Sequence, residues 1–251
     1  MDTSIISKIL AFLLSIFVTI GNFFGFNIQT EEPKEIKNVI YLIGDGMGFN
    51  HLEKTKADKD IALTMDKFEI KGSSQTASLT HEVTDSAAGG TALAVGVRTG
   101  NGRIGVYNDD PYSEISFPKS LTELCMEDGM LTGVVTTDST AGATPASFSA
   151  HTASREMSWD ISADQLVSGI DLIWGTAASE ITVSNAEANG YQYVSTIDEM
   201  MALPEGSKSF GQFTSSLWTL EPSDKNTPTL EQMAVKAVDI LDDTDEGFFL
   251  M

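Results

Sequence analysis

Cysteine is almost missing from this chain. Cys125 is the only one in 251 residues, so no intrachain disulfide can form, and cysteine pairing says nothing of the redox compartment. Histidine is nearly as scarce, with His51, His81 and His151 alone, and no two of them show metal-ligand spacing. Each reads as a structural or surface residue. Positive charge is short as well: 15 Lys and Arg stand against 36 Asp and Glu, for a net charge of −21. That balance argues against nucleic acid as a direct partner, because phosphate backbones need clustered Lys and Arg. Internal repeats and low-complexity tracts are absent, and no block is poor enough in apolar residues to imply long disorder.

What remains is a chain long enough to bury a large core, in one sizeable domain or two. Most of its acids must be solvated surface, but a few could converge on a metal. Lys8 precedes an uncharged apolar run over residues 9–20, followed by G-N-F-F-G-F. A basic residue before such a run fits a secretory signal peptide. No clean small-x-small cleavage site follows, and counted through Phe26 the segment approaches the length that spans a bilayer. The expectation is export, periplasmic or extracellular, with an uncleaved membrane anchor through residues 5–26 as the alternative. Residues 1–29 form this leader and residues 30–251 the folded part.

Residues 38–43, N-V-I-Y-L-I, read as a strand buried on both faces, and G-D-G-M-G at 44–48 as a sharp turn after it. Asp45 there either caps a helix or projects as a ligand group from the carboxyl end of a central strand. Residues 65–78 alternate apolar positions and predict one or two strands. The spacing predicts a helix over 120–128 with Leu121, Leu124 and Cys125 inward, then a strand over 131–137. A polar loop over 138–145 leads into a helix over 146–154 that contains His151, with Pro145 in its first turn. A strand over 171–174, a helix over 196–203, an unassigned segment over 211–218 and a helix opened by Thr227-Pro228 follow. In that last helix Leu230, Met233, Ala234, Ala237 and Leu241 repeat at three and four. G-F-F-L-M at 247–251 reads as a core strand. Strands alternating with helices predict an α/β fold, a mostly parallel central sheet covered by helices on both faces.

The chain centres on T-D-S-A-A-G-G-T-A-L-A-V-G, residues 84–96. Ser86 falls where a helix begins, and the unpaired N–H groups there stabilise a serine oxygen, or a phosphate bound to it, as an anion. The bland alternative is that Thr84, Asp85 or Ser86 only caps that helix. Glycines from Gly96 to Gly102 close it. Two further stretches occupy equivalent places at strand ends or helix starts: Asp45 in G-D-G-M-G, and Thr144 with Arg155 in A-T-P-A-S-F-S-A-H-T-A-S-R. For Arg155 the bland alternative is a surface arginine at a helix end.

In order, spacing and local sequence these stretches closely resemble the alkaline phosphatase family, supported by G-V-R-T-G-N-G-R-I-G-V after the serine helix and by the closing G-F-F-L-M. The resemblance runs over residues 37–251 and is densest over 37–155. It implies that Ser86 attacks phosphorus and forms a phosphoserine later hydrolysed by water. It implies that Asp45 bridges a zinc and a magnesium ion, that Thr144 gives its hydroxyl to the magnesium, and that Ser86 also meets zinc. Arg155 would clamp two phosphate oxygens, and Asp85 would orient Arg155 and the helix start. The implied cofactors are two Zn²⁺ and one Mg²⁺, the substrate a phosphate monoester, and the full-length state a homodimer.

The chemistry suits these residue types. A serine hydroxyl is a poor nucleophile near neutral pH and needs a metal or base, and a planar guanidinium donates two parallel hydrogen bonds to phosphate. The departures matter too. The family's other ligands, a glutamate, two aspartates and three histidines, lie beyond the strand matched by residues 247–251, so the catalytic domain is expected to be only its N-terminal portion and inactive alone. Gly142 stands two before Thr144, where many relatives carry Asp or His. Rival readings are a phosphodiesterase or sulfatase of the same superfamily, or a non-catalytic remnant that holds phosphate or metal through Asp45 and Arg155. The D-S-A-A context favours the monoesterase, since the C/S-x-P-x-R pattern of sulfatases is missing.

Overall fold

Six strands make the frame: β1 (Val39–Ile40), β2 (Leu131–Ser139), β3 (Leu172–Thr176), β4 (Gln192–Val194), β5 (Ser209–Phe213) and β6 (Phe248–Leu250). In the computed structural model, which describes residues 36–107, 115–178, 180–213 and 225–251, they form one sheet in the order β1-β6-β2-β3-β5-β4. Every pairing in it is parallel. Residues Lys37–Met251 form one unit. The leader and its boundary at 29/30 lie outside the described residues. Among the described residues no helix is long and apolar enough to cross a membrane.

The strands are apolar on both faces because both faces are covered, as parallel sheets require. On one face Val135, Leu172, Trp174, Phe213, Phe248 and Leu250 pack with Met233, Ala237, Ile240 and Leu241. These last four belong to helix α8 (Leu230–Leu241), whose 3–4 spacing is the predicted one, although Leu230 itself is exposed. On the other face the intervening residues Val134, Ile173, Phe210 and Phe249 pack with Ala94, Phe148, Ala186 and Tyr191. The alternation along each strand thus decides which core a residue joins.

The remaining described helices are α1 (Phe49–Lys59), α2 (Ser86–Val95), α3 (Leu121–Glu127), α4 (Ala143–Ser147), α5 (Ser158–Val167), α6 (Val183–Ala188) and α7 (Ile197–Met201). Helix α2 ends where foreseen: Gly96 takes φ 74°, a left-handed cap that glycine adopts without a side-chain clash. A third cluster of Ala87, Ile104, Ala143, Ala146, Ala150 and Ile161 lies under α2 and α4. Its small side chains let those helices come close, and a Cβ added at Gly90 would stand 2.8 Å from Ser147 Oγ.

Several expectations are corrected. The strand at 38–43 shrinks to β1, an edge strand hydrogen-bonded to β6 alone, with Val39 and Ile40 exposed rather than buried on both faces. Residues 65–78 form no strand; a 3₁₀ turn at Thr64–Lys67 gives way to irregular chain, and Phe68 and Ile70 both face solvent. Alternation there had no neighbouring strand to pair with. In α3 the inward residues are Thr122, Cys125 and Met126, while Leu121 and Leu124 point out. The Ser120–Glu123 capping box sets where that helix starts and hence which face turns in. The helix foreseen over 146–154 is instead α4, which stops at Ser147, so Pro145 is its third residue and His151 lies beyond it. Thr229, not Thr227, caps α8. The unassigned segment at 211–218 is β5 up to Phe213, and its remainder lies outside the described residues.

Candidate active site

The loops after β1 and β2 carry Asp45 and Thr144 past the carboxyl ends of those strands, and the start of α2 brings Ser86 to them. There the chain leaves a parallel sheet, and ligand crevices open in such folds. Gly44 to Gly48 follows β1 and carries Asp45. The chain turns at Gly46, whose φ of 67° is a left-handed conformation. Asp45 does not cap α1, since Gly48 holds that position. Its carboxylate instead reaches two other elements: Oδ1 accepts a hydrogen bond from Ser86 Oγ at 2.9 Å, and Oδ2 one from Thr144 Oγ1 at 2.8 Å. Residues 45, 86 and 144 therefore meet at one carboxylate.

The cap question at the serine helix resolves in favour of Asp85. Its Oδ1 accepts from Ala88 N at 2.9 Å, making Asp85 the N-cap and Ser86 the first helical residue. The neighbouring acid thus does the capping, which leaves the Ser86 hydroxyl free to turn outward to Asp45. Asp85 Oδ2 accepts from Gly102 N at 2.9 Å and lies 3.4 Å from Arg155 Nη1. Arg155 is held from its backbone as well, N to Gly102 O at 2.6 Å. One carboxylate therefore fixes the helix start, the glycine loop and the arginine.

A cleft of about 560 Å³ runs past Asp45, Thr84, Ser86, Thr144 and Arg155. Arg98 also lines it, but its guanidinium is engaged with Ala77 O and Ser78 O, which leaves Arg155 as the cation directed at the Asp85 end. Sequence reasoning missed the support behind Arg155. Thr152 pairs with Ile104 as an antiparallel bridge, His151 Nδ1 donates to Gly105 O at 2.6 Å, and His151 Nε2 lies 3.0 Å from Glu123 Oε2. Burial would raise the Glu123 carboxyl, but the Ser120 amide and His151 outweigh it and hold its pKa below the usual value. A histidine four residues before the arginine was the available signal. The three histidines stay apart: His51 bonds at the start of α1, His81 with Thr80, and His151 with Glu123. Among the described residues no group of three His, Cys, Asp or Glu could hold a metal ion.

The sequence profile of the alkaline phosphatase family matches residues 36–182 and 175–251. Alkaline phosphatase 4 of Bacillus subtilis (strain 168) is 32% identical over 276 residues, covering 98% of this chain and 58% of that protein. Streptomycin-6-phosphate phosphatase of Streptomyces griseus is 40% identical over 131 residues, covering 49% of this chain and 28% of that protein. Among solved structures, the cold-active alkaline phosphatase from the psychrophile Shewanella sp. superposes with a TM-score of 0.72 at 29% identity, covering 85% of this chain and 55% of that one. The chain spans roughly half the length of the relatives it matches. With that profile over most of its length, and with a fold shared with a solved relative, the chain belongs to the alkaline phosphatase family.

Proposed function

We propose that this chain carries the nucleophile and the phosphate clamp of a metal-dependent phosphomonoesterase that works through a phosphoserine. The observation behind this reading is the single carboxylate of Asp45 joined to both Ser86 and Thr144, with Arg155 lining the same cleft. Ser86 Oγ forms a bond to phosphorus as the ester P–O bond breaks and the alcohol leaves, taking up the proton the serine gives up; water later displaces the serine oxygen, releasing orthophosphate and regenerating the hydroxyl. The hydrogen bond to Asp45 Oδ1 aims the Ser86 proton away from the phosphorus and leaves a lone pair for attack. The partial positive charge of the ten-residue helix α2 favours the anion at its first residue. Arg155 draws the phosphate into a protein of charge −21 and orients its oxygens.

The metal readings divide. Asp45 and Thr144 supply hard oxygen donors of the kind magnesium takes, and a mutant of the TAB5 alkaline phosphatase was solved with Mg bound. Bound there, the cation would offset negative charge beside Ser86. Zinc does not fit the residues described. Two zinc shells need nitrogen, sulfur or several carboxylate ligands, and the site offers Asp45 with two hydroxyls. No step is therefore routed through zinc, and the 251 residues alone are expected to lack turnover. Homodimer formation and export by the leader belong to the same reading of the whole protein.

The test is a phosphate label. The full-length gene product incubated with a ³²P-labelled aryl phosphate at acidic pH should retain acid-stable label on Ser86, and Ser86→Ala should lose both the label and about a thousand-fold or more of turnover. Label on another residue, or undiminished turnover by Ser86→Ala, would overturn the assignment. Parallel assays with a diester and a sulfate ester decide against the rival chemistries.

A further inference from the structure

Gly142 is a glycine for space and not for backbone conformation. Its φ of −58° and ψ of 151° suit any residue. A Cβ there would stand 2.3 Å from Asp138 Oδ2, 2.7 Å from Asp138 Cγ and 2.9 Å from the Ser139 carbonyl oxygen. The carboxylate has little room to step aside. Its Oδ1 accepts from Ser139 N at 2.7 Å, the Asp138 N–H donates to Thr136 Oγ1 at 3.1 Å, and the Ser139 carbonyl is tied to Gly142 N at 2.8 Å. A side chain at position 142 is thus replaced in space by one arriving from the end of β2.

That space adjoins the start of the helix that carries Thr144. Gly142 is the N-cap residue of α4, two residues before Thr144, whose hydroxyl donates to Asp45. Asp138 and Gly142 line a polar cleft of about 520 Å³ that shares Arg155 with the cleft holding Asp45 and Ser86. We propose that Asp138 takes over the work of a residue-142 side chain: it is the third oxygen group, acting through the ion's water shell, around a magnesium ion held by Asp45 and Thr144. The inference rests on the magnesium part of the proposed function. Magnesium is the cation this chemistry fits, since it keeps several waters and is bound through one or two carboxylates. Groups that organise a metal's outer shell commonly change affinity by 10–100-fold when removed.

The experiment is manganese titration of the 251-residue chain followed by electron paramagnetic resonance, with Mn²⁺ as the visible substitute and Mg²⁺ as competitor. The wild-type chain should bind one Mn²⁺ that Mg²⁺ displaces, D138N should bind at least about tenfold more weakly, and the swap D138A/G142D should recover to within about threefold. If D138N does not fold, the swap decides: recovery supports the proposal and failure to recover overturns it. Wild-type affinity in D138N alongside lost binding in D45N would overturn the role of Asp138 and leave the magnesium site standing. Wild-type affinity in both variants, or no displaceable Mn²⁺ in the wild-type chain, would overturn the site itself.

Discussion

Asp85 Oδ2 lies 3.4 Å from Arg155 Nη1, across 70 residues of sequence, while Oδ1 of the same carboxylate caps the helix that begins with Ser86. The residue next to the candidate nucleophile therefore sets both the helix start and the arginine. The two partners should separate under mutation. Asp85→Ala removes an N-cap worth about 0.5–2 kcal/mol and should lower stability as well as phosphate affinity. Arg155, exposed at its guanidinium end, should leave stability nearly unchanged as Arg155→Ala. Its phosphate affinity should fall about 10–100-fold, in keeping with about 1.5–3 kcal/mol for hydrogen bonds to a charged group. Urea denaturation and calorimetric titration with orthophosphate check the split.

Adjacent glycines in helix α2 should respond in opposite directions. A Cβ at Gly89 would meet Thr84 Cγ2 at 3.4 Å and Thr84 Oγ1 at 3.6 Å, ordinary contacts, so Gly89→Ala should gain up to about 1 kcal/mol from helix propensity. A Cβ at Gly90 would stand 2.8 Å from Ser147 Oγ and 3.1 Å from Ser147 Cβ. Overpacking of about 1–3 kcal/mol should exceed the propensity gain in Gly90→Ala and push α2 from α4. Equal stabilities for the two variants would contradict the tight α2–α4 contact.

Acid should act partly through Glu123. Its folded-state pKa is held below the ordinary glutamate value, with burial opposing and the Ser120 amide and His151 prevailing. A depressed carboxyl contributes stability above its unfolded pKa and loses it as pH falls through the folded pKa. The stability difference between wild type and Glu123→Gln should therefore be largest above the ordinary glutamate range and shrink at lower pH. Chemical denaturation from pH 6 down to pH 3 measures it, and a difference constant with pH would contradict the assignment.

The exposed edge of the molecule makes a further prediction. From Gly44 to Val83 only Ser78 is buried, and Phe49, Phe68, Ile70 and Val83 all face solvent. Chain with so little packing opens at low cost. Limited proteolysis of the 251-residue chain, mapped by mass spectrometry, should cut first within 44–83 and spare β2, β3 and β6. First cleavage inside those strands would contradict it.

Much of this was legible locally. Continuous apolar runs marked β2, β3 and β6 and the 3–4 spacing marked α8, because each reports on which faces of a segment are buried, and glycine after Val95 marked the end of α2. The candidate site residues Asp45, Asp85, Ser86, Thr144 and Arg155 were legible as a set because their order and flanking sequence matched a family pattern. Local pattern failed where burial depended on a neighbour. The alternation at 65–78 had no strand beside it, the apolar run at 38–43 fell on an open edge, and α3 was turned by its cap so that Leu121 and Leu124 faced out.

The amino-acid sequence by itself determined the alternation of strands and helices, the parallel sheet and the identity of the polar residues at its carboxyl end, since these follow from periodicity and residue chemistry within short windows. Only the tertiary structure decided that Asp85 and not Ser86 caps the helix, that His151 braces the arginine segment against Glu123, and that Asp138 fills the room left by Gly142. His151 and Glu123 lie 28 residues apart and meet only because separate loops are brought together, whereas Asp85 and Asp138 act within four residues, where side-chain rotamers and turn geometry, not the pattern of residue types, decide which atoms meet.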